Sequence, residues 1–249
     1  MNHNAMINTV FKEVRACCKH LLQAYDRVGS PYIDKDDKER FAQTIDLDIQ
    51  NQIVDRLKDI YPKHHFIAEE DADFNIDDLN KHTDVWVIDP IDGSNNFIHN
   101  IPFFSISLCY YYKGEAKAAI VFDPIHDELF TAISGKGAQL NQRRTSVSQC
   151  KKLNDSICGL ELHSKDVMPF SEQLHRIRRI GCTSLALCYV ACGRMDMVVC
   201  EKPNLWDMAA GKLIAIESGA KCYNHKLQEY KVGDQYLCLS NKTLYSQIK

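Results

Sequence analysis

The sequence predicts an α+β fold in which helices and sheets stack in layers. Three observations carry this expectation. Two long stretches near the start have helical apolar periods, a middle stretch is β-rich with turn residues between its runs, and the second half mixes strands and helices. The segments come in blocks rather than in strict alternation, which favours layered α+β packing over a doubly wound parallel sheet. At 249 residues the chain is long enough for a full core, and no internal repeat, low-complexity tract or linker interrupts it. A single domain over residues 1–249 is expected.

Residues 5–28 read as a helix, with Val10, Val14, Leu21, Leu22 and Tyr25 on one side, broken by Gly29-Ser30-Pro31. The charged stretch Asp34–Arg40 follows. A second helix then shows Phe41, Ile45, Ile49, Ile53, Leu57 and Ile60 at helical spacing, and Tyr61-Pro62 ends it. Phe66-Ile67-Ala68 is a short strand leading to Glu69-Glu70. Strands are expected at Trp86–Ile88, Ser105–Tyr112, Ala118–Phe122 and Leu129–Ser134, with a turn at Gly135–Ala138. Further strands are expected at Ile157–Leu162, Ile177–Ile180 and Met197–Val199. A helix covers Ser184–Cys192 with Gly193 as its cap, and a long helix starts at Asp207 and stops before Gly219.

Charge and composition exclude several functions. The net charge of -3 lacks the basic footprint of nonspecific nucleic-acid binding. No apolar run approaches the roughly 18 residues of a membrane span. The start, Met1-Asn2-His3-Asn4-Ala5, lacks the basic-then-apolar layout of a signal peptide. The eleven cysteines are scattered through apolar segments without CxxC spacing. They read as small buried hydrophobes in a reducing cytoplasm, and zinc is not expected. No Cys-x5-Arg arrangement with a phosphate loop is visible, which disfavours covalent phosphatase chemistry.

The chemistry concentrates where apolar segments end in carboxylates. Glu69-Glu70 follow one strand, Asp89 and Asp92 another, and Asp207 follows Leu205-Trp206. No lysine or arginine occurs in residues 64–76, 84–97 or 203–211. Taken singly, Asp89-Pro90 is an ordinary turn, Asp207 a helix N-cap and Glu69-Glu70 a solvated pair. Taken together, converging carboxylates repel unless a cation sits among them, and a hard divalent ion such as Mg2+ takes oxygen ligands. Pro90 donates no ladder hydrogen bond, so the chain turns and lets both aspartates and the Ile91 carbonyl face one point. Gly93 lets the backbone approach a ligand, and a helical turn beginning near Ser94 would present free N–H groups to a phosphate.

These residues resemble the inositol monophosphatase family. The resemblance rests on Glu69-Glu70, on Asp89-Pro90-Ile91-Asp92-Gly93-Ser94-Asn95-Asn96-Phe97, and on Trp206-Asp207-Met208-Ala209-Ala210-Gly211. It implies an αβαβα layered sandwich of the inositol monophosphatase and fructose-1,6-bisphosphatase type, a homodimer, and a lithium-sensitive, Mg2+-dependent phosphatase. By the same resemblance, residues 1–145 form the metal and phosphate half and residues 146–249 the substrate half. Glu69, Asp89, the Ile91 carbonyl, Asp92 and Asp207 correspond to ligands of two or three Mg2+ ions, with Glu70 supporting them. Ser94 stands at the family's usual threonine, whose hydroxyl orients the attacking water, and Asp46 would hold that hydroxyl. Asp46, Ser94 and Glu69 are thus the catalytic candidates. The Gly93 and Ser94 amides would bind phosphate, while Gly181, Cys182, Thr183, Glu201 and Asp207 would face the substrate.

Several positions depart from the family pattern. Arg40-Phe41-Ala42-Gln43 replaces a usual Asp-x-Val-Thr stretch, Ala68 replaces a common glycine, and Cys182 replaces a hydroxyl or small residue. Glu201 lies six positions before Asp207, one fewer than usual. Lys35 aligns with a lysine of the family's mobile active-site loop, or is a solvated charge. His175-Arg176-Ile177-Arg178-Arg179 reads as a solvated strand edge, or as a contact to a second phosphate or a dimer partner. The expected substrate is inositol monophosphate or a similar small polyol or sugar phosphate. A 3′(2′),5′-bisphosphate nucleotide or histidinol phosphate is the alternative within the fold, and a catalytically weak partner-binding dimer the alternative outside it.

Overall fold

Two long helices precede the first sheet in the computed structural model, which describes residues 2–29, 34–70, 78–162, 173–174 and 176–248, with only the backbone of Lys35 and Asp36. Helix α1 (His3–Val28) is capped by Asn2, whose side chain accepts the Asn4 and Ala5 amides. Its predicted apolar side is buried at Val10, Val14, Leu21 and Tyr25, whereas Leu22 is half-buried. Helix α2 (Lys35–Ile60) begins earlier than its apolar period implies. Asp34 accepts the Asp37 amide at 3.0 Å, so the charged stretch forms the opening turns of the helix rather than a preceding loop. Ile45, Ile49, Ile53 and Leu57 are buried, while Ile60 lies at the helix end and is exposed.

The first sheet has seven strands in sequence order: β1 (His65–Ala68), β2 (Asp84–Asp92), β3 (Ser105–Tyr112), β4 (Glu115–Asp123), β5 (Glu128–Ile133), β6 (Gly137–Leu140) and β7 (Arg143–Arg144). β1 and β2 are parallel and the other neighbours antiparallel. Gly137 and Ala138, expected in a turn, already belong to β6. Short helices α3 (Asp78–Lys81) and α4 (Ser94–Ile98) flank β2. The second sheet runs β11-β12-β10-β8-β9, from β8 (Ile157–Glu161), β9 (Arg176–Arg178), β10 (Met197–Glu201), β11 (Lys221–Tyr223) and β12 (Tyr236–Ser240). A short 3-10 turn (Leu153–Asp155) and helices α5 (Thr183–Ala191), α6 (Leu205–Glu217) and α7 (Lys242–Ile248) complete the described elements. The strand expected at Ile177–Ile180 is the exposed β9, paired in parallel with β8.

Side-chain alternation builds the layers. Trp86, Ile88, Leu108, Tyr110 and Ile120 point to α1 and α2, while Val85, Val87, Cys109, Ala119 and Val121 point the other way. That second face packs on α5 and α6, which also meet Val198, Cys200, Leu237 and Leu239 of the second sheet. The far face of the second sheet packs Met197, Val199 and Cys238 with Leu244 of α7. The order is α1/α2, sheet, α5/α6, sheet, α7: a layered αβαβα sandwich. Because α5 and α6 lie between two sheets, they are apolar nearly all round. Gly211 lets them approach, since a Cβ there would stand 2.7 Å from the Leu187 Cβ.

Candidate active site

The site begins at a defect in the first sheet. Asp89 pairs with Ser107 and Asp92 with Ser105, so the β2–β3 register shifts between them. In a regular strand, residues three apart point to opposite faces. One extra residue brings Asp89 and Asp92 to the same side. Pro90 sits in the bulge, where its missing N–H costs no ladder bond. The Ile91 amide donates to Asp89 Oδ1 at 3.0 Å, which holds the turn. Gly93 follows with φ +93°, and a Cβ there would stand 2.9 Å from the Phe103 carbonyl oxygen. Glycine is required on both counts, and α4 then starts at Ser94.

The topology gathers the predicted residues around a cavity of about 390 Å³. Glu69, Asp89, Ile91, Asp92, Gly93 and Ser94 line it from the first sheet, and Gly181, Thr183, Glu201 and Asp207 from the second half of the chain. The spacing of Glu201 and Asp207 still brings both to this wall. No lysine, arginine or histidine is among the described residues that line it. Asp207 is not the N-cap of its helix: Asn204 holds that position, and its side-chain amide donates to Asp207 Oδ2 at 3.3 Å.

The carboxylates are held at high electrostatic cost. Asp89 is 1% exposed, and its Oδ2 has no hydrogen-bond partner among the described residues. Burial, then Asp92 and Glu69, push its carboxyl well above the ordinary range. Burial and Asp207 raise Glu69 to about 7. Burial and Asp92 raise Asp207 to about 7. The carboxylates offer oxygen only, one oxygen is orphaned, and among the described residues no side-chain cation lines the cavity. This fits a hard divalent cation and does not fit zinc, which favours nitrogen and sulfur.

Asp46 stands beside this group rather than on the cavity wall. Acceptor oxygens of Asp46, Glu69 and Glu70 lie within 4.8 Å of one another. Asp46 Oδ1 is buried without a hydrogen-bond partner among the described residues, and burial with Glu69 and Glu70 raises the carboxyl to about 8. The expected Ser94 hydroxyl bond to that oxygen is therefore not formed here. The charged neighbours of Asp46 there are the two glutamates, which repel it.

Asp92 is fastened from the other half of the molecule. Its Oδ1 accepts the Thr183 amide at 3.2 Å, and its Oδ2 accepts the Ser184 amide and the Cys182 thiol at 3.1 Å. The carboxylate thus caps the N-terminus of α5. These bonds oppose the rise that burial imposes on its pKa. Cys182, expected to face substrate, is 1% exposed and sits behind the wall. Its sulfur is spent on Asp92, because the strand-to-helix turn aims it inward.

Sequence reasoning missed three residues here. Glu161 lines the cavity and accepts the Ile180 and Gly181 amides. It ends an apolar strand, the same signal that marked Glu69 and Asp89. Asn96 and Asn204 carry no such signal. Cys188 and Arg194 do have Cys-x5-Arg spacing. Cys188 is buried inside α5 with its thiol pushed far up by burial, and Arg194 donates to both oxygens of Glu128, so they form no phosphate loop. The side chain of Lys35 and all of His175 lie outside the described residues. Arg176 and Arg178 are exposed on β9, and none of Arg176, Arg178 and Arg179 lines the cavity.

Residues 3–248 match the sequence profile of the inositol monophosphatase family. The chain belongs to this family. Among family relatives, it is 34% identical over 227 residues to the Nus factor SuhB of Pseudomonas aeruginosa, across 86% of this chain and 83% of that protein. The crystal structure of the extragenic suppressor protein suhB from Bartonella henselae superposes with a TM-score of 0.83 at 28% identity, covering 98% of this chain and 97% of that one. An IMPase from Thermotoga maritima superposes with a TM-score of 0.75 at 32% identity, covering 82% and 80%. Among the described residues no helix is long and apolar enough to cross a membrane.

Proposed function

We propose that this chain is a Mg2+-dependent phosphomonoester hydrolase, acting as a single catalytic domain on inositol monophosphate or a similar small polyol or sugar phosphate. One observation carries the reading. Buried carboxylates at the β2 bulge open onto a cavity that Gly181, Thr183 and Glu201 also line, and no lysine, arginine or histidine is among its described lining residues. Glu69, Asp89, the Ile91 carbonyl, Asp92 and Asp207 would hold two or three Mg2+ ions. When bound, Mg2+ supplies neutralising charge for the phosphate and leaving oxygen and makes water a stronger nucleophile. The Ser94 hydroxyl positions the attacking water, with Asp46 supporting that end of the site. The Gly93 and Ser94 amides, at the start of α4, hold phosphate oxygens. Gly181, Thr183 and Glu201 meet the alcohol portion, and Cys182 contributes through Asp92. A homodimer, lithium inhibition and a cytoplasmic location belong to the same proposal.

A second reading, a partner-binding protein with weak catalysis, is favoured by the name Nus factor carried by relatives. Phosphate release separates the two. The purified chain is given inositol 1-phosphate, a 3′(2′),5′-bisphosphate nucleotide, a sugar phosphate and histidinol phosphate across a Mg2+ titration. Turnover of inositol 1-phosphate above the others supports the first reading. Faster turnover of the nucleotide changes the substrate, and no turnover of any ester leaves the second reading standing.

A further inference from the structure

Glu161 does more than line the cavity. Its Oε1 accepts the Ile180 amide at 2.9 Å and its Oε2 the Gly181 amide at 3.0 Å. From the other side, Asn96 Nδ2 donates to the Ile180 carbonyl and to the Phe103 carbonyl, both at 2.7 Å. Both polar groups of the Ile180 backbone are therefore held, one by β8 and one by α4. Gly181 has φ +73°, and a Cβ there would stand 3.1 Å from the Asn96 amide group. The Gly181 carbonyl oxygen in turn lies 3.2 Å from where a Gly93 Cβ would stand. One peptide thus joins the alcohol-facing wall to the phosphate-facing turn.

We propose that Glu161 is a positioning residue that clamps the Ile180–Gly181 peptide and so sets which alcohols the cavity accepts. The proposal rests on the phosphatase reading above. It assigns Glu161 a role in specificity, because the clamped peptide carries Gly181 and leads into Thr183. The phosphate end keeps its own support from the bulge and α4.

Glu161→Gln keeps the length and one acceptor oxygen; Glu161→Ala removes both acceptors. Two measurements are made on the full chain. One is hydrogen exchange over residues 176–188 by mass spectrometry. The other is kcat and KM in Mg2+ for inositol 1-phosphate and for p-nitrophenyl phosphate, an ester without a polyol. Exchange at Ile180 and Gly181 is expected to quicken about tenfold in Glu161→Ala, with Glu161→Gln between it and wild type. The preference for the polyol ester over the aryl ester is expected to fall about tenfold in Glu161→Ala, more through KM than kcat, and to recover in part in Glu161→Gln. Unchanged exchange in both variants overturns the clamp. Faster exchange with equal losses on both esters overturns the specificity role. If the wild-type chain cleaves neither ester, the phosphatase reading and the specificity role fall together, and exchange still decides the clamp. Should Glu161→Ala not fold, Glu161→Gln alone is compared with wild type by the same criteria.

Discussion

Asp89 holds a buried oxygen that no donor meets among the described residues. A charge left there without a partner destabilises the fold, and a group that strains the fold is the natural place to look for function. Asp89→Asn is therefore expected to abolish Mg2+-dependent phosphate release while raising the Tm of the metal-free protein. Full activity in that variant would remove the proposed metal site. At Ser94 the expectation runs the other way. Ser94→Ala is expected to lower kcat by about 100-fold, and Ser94→Thr to retain activity, because the hydroxyl that positions water is lost in one and kept in the other. Steady-state kinetics on one substrate check both. Residues of this kind were legible because the signal is local: an apolar strand, then a carboxylate, with no cation nearby. The family resemblance names Cys182 and Asp46, but their orientation was not legible. Which way their side chains face depends on α5 and on Glu69 and Glu70, contacts that no short stretch of sequence contains.

At the scale of elements, the β2 bulge and the glycine after it determine whether the site exists. Gly93→Ala must adopt φ +93° and place a Cβ 2.9 Å from a backbone oxygen. The expected loss is more than about 1 kcal/mol of stability, with loss of activity. Gly135 makes the control: its φ is +76°, and among the described residues nothing lies within 4 Å of an added Cβ. Gly135→Ala is expected to cost less and to spare activity. Urea denaturation of both variants measures the difference, and equal losses would show that the close approach at Gly93 is irrelevant. The helical periods and turn residues made most elements readable, and they failed in specific ways. The opening of α2 looked like a loop because its first residues are polar, yet Asp34 caps it. β9, expected at Ile177–Ile180, runs over Arg176–Arg178, because its exposed residues carry no burial pattern and its bounds are set by pairing with β8. β12 went unread although Tyr236–Ser240 is mostly apolar, because its role as a sheet strand depends on β10 and β11.

For the whole molecule, the site gathers carboxylates from separate elements: Glu69 after β1, Asp89 and Asp92 on β2, Asp207 on α6 and, beside them, Asp46 on α2. Their proton uptake therefore enters the stability of the entire fold. Glu69 and Asp207 are raised to about 7 and Asp46 to about 8 by burial and then by neighbouring carboxylates, Asp207 on Glu69, Asp92 on Asp207, and Glu69 and Glu70 on Asp46. In the unfolded chain such groups titrate near 4. Between those values the folded protein binds more protons than the unfolded chain, so unfolding becomes easier as pH rises. The metal-free protein is thus expected to lose Tm steadily from about pH 5 to about pH 8. Mg2+ competes with protons for the same oxygens and binds the folded state. Millimolar Mg2+ is therefore expected to raise Tm little at pH 5 and markedly at pH 8, flattening or reversing the slope. Thermal melts in EDTA and in MgCl2 across this range measure both trends. A metal-free Tm that is level or rises with pH would show that these carboxylates are not the strained, proton-holding group described above. A Mg2+ effect independent of pH would place the ion on other ligands.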